Sequence, residues 1–129
     1  MNKILVEVSI GELLDKISIL EIKLDKIKDS ENLKFISNEH SILKKQLDNN
    51  VKSDDKLVKF FQSLKEINEK LWVIEDDKRQ CEKDKDFGER FIKLSRDVHF
   101  LNDERAKIKL DINNHTGSSI KEIKEYTSY

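Results

Sequence analysis

The chain has 129 residues, 40% charged and 36% hydrophobic, with a formal net charge of −1. That length suits one compact domain or one elongated helical bundle rather than two domains. The balanced charge speaks against a nucleic-acid partner, which needs a basic face, and no uncharged run approaches the roughly 20 residues that span a bilayer, so no membrane partner is expected.

Proline is absent, and the only glycines are Gly11, Gly88 and Gly117. A chain so free of helix breakers is expected to be helical, and its high charge suits long amphipathic helices with solvated backs. The opening "MNKILVEVSIGELLDK" turns acidic too early for a signal peptide. A single cysteine, Cys81, cannot form an internal disulfide and suits a reducing cytoplasm, which is the expected location.

In chain order, "KILVEV" at residues 3–8 is β-branched and apolar, which predicts a short strand or extended segment. Ser9, with Glu12 three residues on, has capping-box spacing, and a first helix follows to about residue 28. Its apolar stripe is Ile10, Leu13, Ile17, Leu20, Leu24 and Ile27. Ile19 and Ile22 fall on another face, so two sides are expected to be covered. "KDSENL" turns the chain into a second helix over about residues 31–48, with the stripe Leu33, Ile36, His40, Leu43, Leu47. A turn centred near Ser30 sets the two stripes level, which makes residues 1–50 a strand followed by an antiparallel hairpin. His40 then stands level with Leu20 and Glu21 and reads as a seam-edge histidine paired with Glu21 or solvent.

"NNVKSDD" supplies the next break, with Ser53 or Asp54 as cap. The third helix carries Leu57, Phe60, Leu64, Ile67, Leu71, Ile74 and Cys81. "EKDKDFGE" turns the chain again, with Asp86 and Glu89 at capping-box spacing. The fourth helix carries Phe87, Phe91, Leu94, Val98, Leu101, Arg105, Ile108 and Ile112, and "NNHTG" stops it with Gly117 as a left-handed residue. This second hairpin, residues 51–117, reaches about 45 Å against about 27 Å for the first. The tail, residues 118–129, carries Tyr126 and Tyr129 and is not expected to float free. The fold expected is thus all-α, a single domain of two unequal coiled-coil-like hairpins. The longer hairpin should leave aromatic and apolar surface uncovered among Phe61, Trp72, Phe100 and Leu110. That surplus and the unpartnered strand point to a homo-oligomer, first a dimer, or to another protein partner.

Polar residues interrupt the apolar seams. Lys78 sits near a helix end and reaches solvent by its stem, whereas Arg105 falls mid-seam opposite Ile67 and needs carboxylates or carbonyls. Glu66, Asn68 and Glu69 stand at its level and Asn102 one turn earlier; Asp97 stands opposite Glu75, and Arg96 comes round near Asp76. Asn68, Glu75, Arg79, Arg96, Asn102 and Arg105 therefore form a candidate band between the long helices. One reading is a polar network that fixes helix register, in which Arg105→Leu keeps or raises stability and Arg105→Ala lowers it. The other is an anion or ligand site walled by Trp72, His99 and Phe100.

Enzyme chemistry finds little support: there is no Gly-rich phosphate loop, no Cys/His metal spacing and no nucleophile elbow. Glu66 and Glu69 share one helical face, an arrangement that resembles half of the magnesium site of all-helical nucleotide pyrophosphohydrolases. The fourth helix lacks the E-x-x-D pair that would complete it. No metal and no cofactor is expected. The opening helix also resembles that of helical chorismate mutases, but without the arginines that hold their substrate.

"VEVSIGELLDKISILEIKLDKI", "LWVIEDDKR" and "LNDERAKIKLDIN", with a Gly-Ser step before a tyrosine-bearing tail, resemble a family of small bacterial proteins of unknown function. The resemblance spans almost the whole chain and implies a bacterial, stand-alone protein, with no activity or site residue attached. The function expected is non-enzymatic self-association and protein–protein interaction. The alternative is a small-ligand or nucleotide-phosphate binding protein, or a magnesium-dependent hydrolase, using the arginine and carboxylate band.

Overall fold

The structure is a computed structural model that describes residues 2–129. It contains four helices: α1 (Ile10–Lys26), α2 (Ser30–Asn50), α3 (Asp55–Asp84) and α4 (Glu89–Thr116). The fold is an all-α helical bundle, and no described residue forms a strand. Of the short strand or extended segment expected at residues 3–8, the strand does not form. The segment is extended, but no neighbouring strand pairs with it, and Ile4, Leu5 and Val6 are 87%, 85% and 73% exposed. No helix among the described residues is long and apolar enough to cross a membrane.

Local chemistry explains the boundaries. Ser9 caps α1 by accepting from the Glu12 N–H at 3.0 Å. Only half of a capping box forms, because the Glu12 carboxylate turns to Lys109 instead. Asp29 and Asp54 cap α2 and α3 through their side chains. The Asp86–Glu89 capping box does not form: Gly88 is the cap of α4, Phe87 stays outside the helix, and Asp86 Oδ1 accepts from the Gly88 N–H at 3.1 Å. Gly117 ends α4 at φ 67°, a left-handed conformation that costs glycine little.

The arrangement differs from two hairpins laid side by side. α1 is the wedge: it packs against α2, α3 and α4, while the backbone of α2 approaches α1 alone. The core lies where α1 meets the N-terminal half of α3 and the C-terminal end of α4. There Leu14, Leu57, Leu64 and Ile112 are buried together, with Ile10, Phe60, Phe61 and Ile108 around them. Each such aliphatic side chain contributes about 1.5–3 kcal/mol. On α2 the expected stripe of Leu33, Ile36, His40, Leu43 and Leu47 is the covered face, but every member stays half-buried. His40 reaches Glu21 at 3.3 Å, and Lys65 of α3 reaches the same carboxylate at 3.1 Å.

Past the wedge the long helices hold chiefly each other. Cys81 is the one buried residue between Glu69 and Ile108, and Val73, Phe87 and Ile92 are exposed around it. Of the four apolar residues expected to be left over, Phe100 is exposed, Trp72 and Leu110 are half-covered, and Phe61 joins the rim of the core. The tail runs back along α4: Glu122 meets Lys109 at 3.1 Å, and the Tyr129 hydroxyl donates to Asp103.

Candidate functional site

The site begins on a face of α1 outside its main apolar stripe. Gly11, Asp15 and Ser18 follow one another at steps of four and three, and all are buried. Each meets a polar side chain from a long helix. Arg105 donates from Nε to Asp15 Oδ1 at 2.9 Å and from Nη2 to Asp15 Oδ2, a two-pronged pairing that fits the planar guanidinium. Asn68 Nδ2 donates to the same Oδ1 at 2.9 Å and to Ser18 Oγ at 2.8 Å, while Ser18 Oγ donates to the Asp15 carbonyl at 2.7 Å. Lys109, nearly buried, reaches Glu12 at 2.6 Å and Glu122 at 3.1 Å, with Asp15 at 3.9 Å.

One turn nearer the start of α1, the N–H groups of Ile10, Gly11 and Glu12 have no acceptor within the helix, and each finds one outside it before Leu13 makes the first helical bond. Ile10 N–H donates to Ser118 Oγ, Gly11 N–H to Asn113 Oδ1 at 2.7 Å, Glu12 N–H to Ser9 Oγ and Leu13 N–H to the Ser9 carbonyl. Gly11 is required by closeness rather than by backbone angle: a Cβ there would lie 2.5 Å from the Lys109 carbonyl oxygen. The wedge is thus held on α4 by hydrogen bonds and ion pairs, and among the described residues no buried side-chain polar atom lacks a partner.

The electrostatics follow from this geometry. Burial by itself would raise the Asp15 carboxyl pKa, but hydrogen bonds from Arg105 and Asn68 and the charges of Arg105 and Lys109 hold it below its ordinary value. The Arg105 pKa is raised, first by its hydrogen bond to Asp15. Burial pulls Lys109 down, yet Glu12 and Glu122 outweigh it and raise the pKa.

Asn68 and Arg105 of this network also line a groove of about 560 Å³ between α1, α3 and α4. The α3 wall is one helical stripe: Asn68, Leu71, Trp72, Glu75, Asp76 and Arg79, at the steps of one, three and four that keep residues on one face. Ile19 and Ile22 of α1 and Asn102 and Arg105 of α4 close it. Asn68, Trp72, Glu75, Arg79, Asn102 and Arg105, all singled out in the sequence, therefore surround one volume.

The other sequence candidates lie elsewhere. Arg96 does not approach Asp76; its guanidinium lies 5.9 Å over the Phe100 ring. His99 and Phe100 do not wall the groove, because α4 turns them toward the tail, where the Tyr129 ring packs 5.4 Å from each. Glu66 and Glu69 line a separate groove with Asp97, Phe100 and Glu104, so they are not partners of Arg105, and Asp97 does not face Glu75. Among the described residues no three His, Cys, Asp or Glu side chains come together to hold a metal ion.

Arg105→Leu, expected from the sequence to keep or raise stability, is on this geometry expected to lower it. The former expectation assumed a guanidinium matched by surface carboxylates of α3, whereas its partner Asp15 is buried and would be stranded. Sequence reasoning missed Asp15, Gly11, Ser18, Lys109 and Asn113. Their signal was present as two complementary polar stripes, Gly11–Asp15–Ser18 on α1 and Arg105–Lys109–Asn113 on α4, at steps of three and four.

The fold and this site define a helical bundle whose first helix is pinned by a buried ion network beside a polar-edged groove. The chain belongs to the family of unknown function DUF6165, whose model matches residues 4–129. No curated protein and no solved structure matches it.

Proposed function

We propose that the protein binds a small molecule in the groove between α1, α3 and α4. The observation that carries this is the convergence of Trp72, Asn68, Asn102 and Arg105 with the Glu75 and Asp76 carboxylates around the apolar surface of Ile19, Ile22 and Leu71. About 560 Å³ suits a small ligand, and few polar anchors over apolar walls is how such sites achieve specificity. The Asp15–Arg105–Asn68 network acts as a rigid support that fixes the anchors before the ligand arrives. Arg105 is a positioning residue here, tied to Asp15 from below.

The experiment is a thermal-stability screen of the full chain against metabolite classes, repeated with Trp72→Ala and Asn102→Ala. A ligand at 100 times its dissociation constant adds roughly 2.7 kcal/mol, so a hit should raise Tm in the wild type and in neither variant. A hit that stabilises all three chains equally would place binding outside the groove.

A second reading is self-association through the N-terminal segment. It is favoured by the consecutive exposure of Ile4, Leu5 and Val6 on extended backbone with no neighbouring strand. A dimer in light scattering that Ile4→Lys with Val6→Lys converts to a monomer is the expected result. A wild-type monomer at micromolar concentration would sink it. The buried, unpaired Cys81 accords with a bacterial cytoplasm, where we place the protein.

A further inference from the structure

We infer that the occupant of this groove is a small organic ammonium compound, an inference that rests on the groove being a binding site. Arg105 is chelated by Asp15 through Nε and Nη2, so an arriving carboxylate or phosphate would meet a neutralised guanidinium with a buried negative charge behind it. Arg79 is paired with Glu75, donating to its Oε2 and to its carbonyl, each at 3.1 Å. Asp76 lines the same groove and has no ion-pair partner among the described residues. With Asp15 counted beneath Arg105, Asp15, Glu75 and Asp76 stand against Arg79 and Arg105, so one carboxylate, that of Asp76, is in surplus around the groove.

Asp76 stands four residues after Trp72, one helical turn along the same face, so carboxylate and indole flank one volume. An ammonium group there is attracted by the charge of one and the π-face of the other. Its hydrocarbon part covers Ile19, Ile22 and Leu71. A bare metal ion has no use for apolar walls and needs more oxygen ligands than one carboxylate supplies.

Trp72 is the single tryptophan of the chain, so intrinsic fluorescence reports on the groove directly. The full chain is titrated at constant ionic strength with spermidine, agmatine and choline, then with inorganic phosphate, succinate and sorbitol. The expected result is a saturable Trp72 signal with at least one of the three cations and none with the others. Asp76→Asn, at an exposed position and checked by circular dichroism, should weaken that binding about tenfold, the loss of one charge-assisted contact. Asp77→Asn removes a carboxylate paired with Arg90 outside the groove, at 3.8 Å, and should leave the affinity unchanged. Saturation by phosphate, succinate or sorbitol as tight as by any cation overturns the ammonium inference and leaves the groove standing. Cation binding that Asp76→Asn does not weaken overturns it equally. Silence from every probe removes both the inference and the groove reading beneath it.

Discussion

α1 and α2 are neighbours of similar length with opposite fates. α2 carries a regular apolar stripe, yet none of its residues is buried, and Phe35 and Ile42 are 72% and 54% exposed. α1 places glycine, aspartate and serine on one face, and that face is among the most buried surfaces in the molecule. The contrast teaches that burial here is set by how many helices surround a stripe, not by how apolar the stripe is. α2 has one neighbour; α1 has three. A polar face can be the interior one when facing helices bring matching donors and acceptors, and the match also fixes register.

The sharpest way to break this comparison is to remove Asp15. Asp15→Ala leaves Arg105 without its buried counter-ion and should cost about 3–5 kcal/mol in urea unfolding. Arg105→Leu should cost at the lower end of that range, because its guanidinium is part-exposed in the wild type. Asp15→Leu combined with Arg105→Leu should recover most of the loss, since a well-packed apolar pair often replaces a buried ion pair at no cost. Additive losses in the double variant would mean that the two residues stabilise the fold independently.

Gly11→Ala comes next. Its methyl group must push α1 away from the α4 backbone, at a cost of about 1–3 kcal/mol. An unchanged urea midpoint would mean that the wedge seats more loosely than these distances indicate.

Proton linkage gives a graded effect. The Asp15 pKa is lower in the folded state, so its stabilisation is complete above its unfolded value of about 4 and is lost as pH falls through the folded one. The Lys109 pKa is raised, so its stabilisation holds below the ordinary lysine value of 10.5 and is lost as pH rises through the folded one. Tm should therefore decline at both extremes, and Asp15→Asn should flatten its part of the acid limb. An acid limb of unchanged steepness in that variant would assign the effect to other carboxylates.

The smallest effects belong to α2. Phe35→Ser and Ile42→Ser should each change stability by no more than about 0.5 kcal/mol. A loss of several times that would show a face covered in solution, and so a second copy or partner seated on α2.

What was legible in the sequence follows the same division. The helices, their turns and the covered face of α2 could be read, because apolar periodicity is local and repeats within one element. The α3 wall of the groove could be read for the same reason. That two sides of α1 are covered could be read from Ile19 and Ile22, but which helices cover them could not, because periodicity says which faces are apolar and nothing about their neighbours. Arg105 stood out as an oddity, but its partner lies 90 residues away, outside the main apolar stripe of α1. Arg96, His99 and Phe100 do not join the groove, because the band between the long helices is not a flat strip. With α1 wedged on one side, α4 shows Asn102 and Arg105 to the groove and turns the other three away.

The most direct test of the central claim is an amide NMR titration of the full chain with the compound that stabilises it most in the thermal screen. The account predicts that the Trp72 indole N–H and the side-chain amides of Asn68 and Asn102 shift first and furthest. Shifts confined to the Glu66–Glu69 groove or to the tail around Tyr126, with these three resonances unmoved, would contradict it.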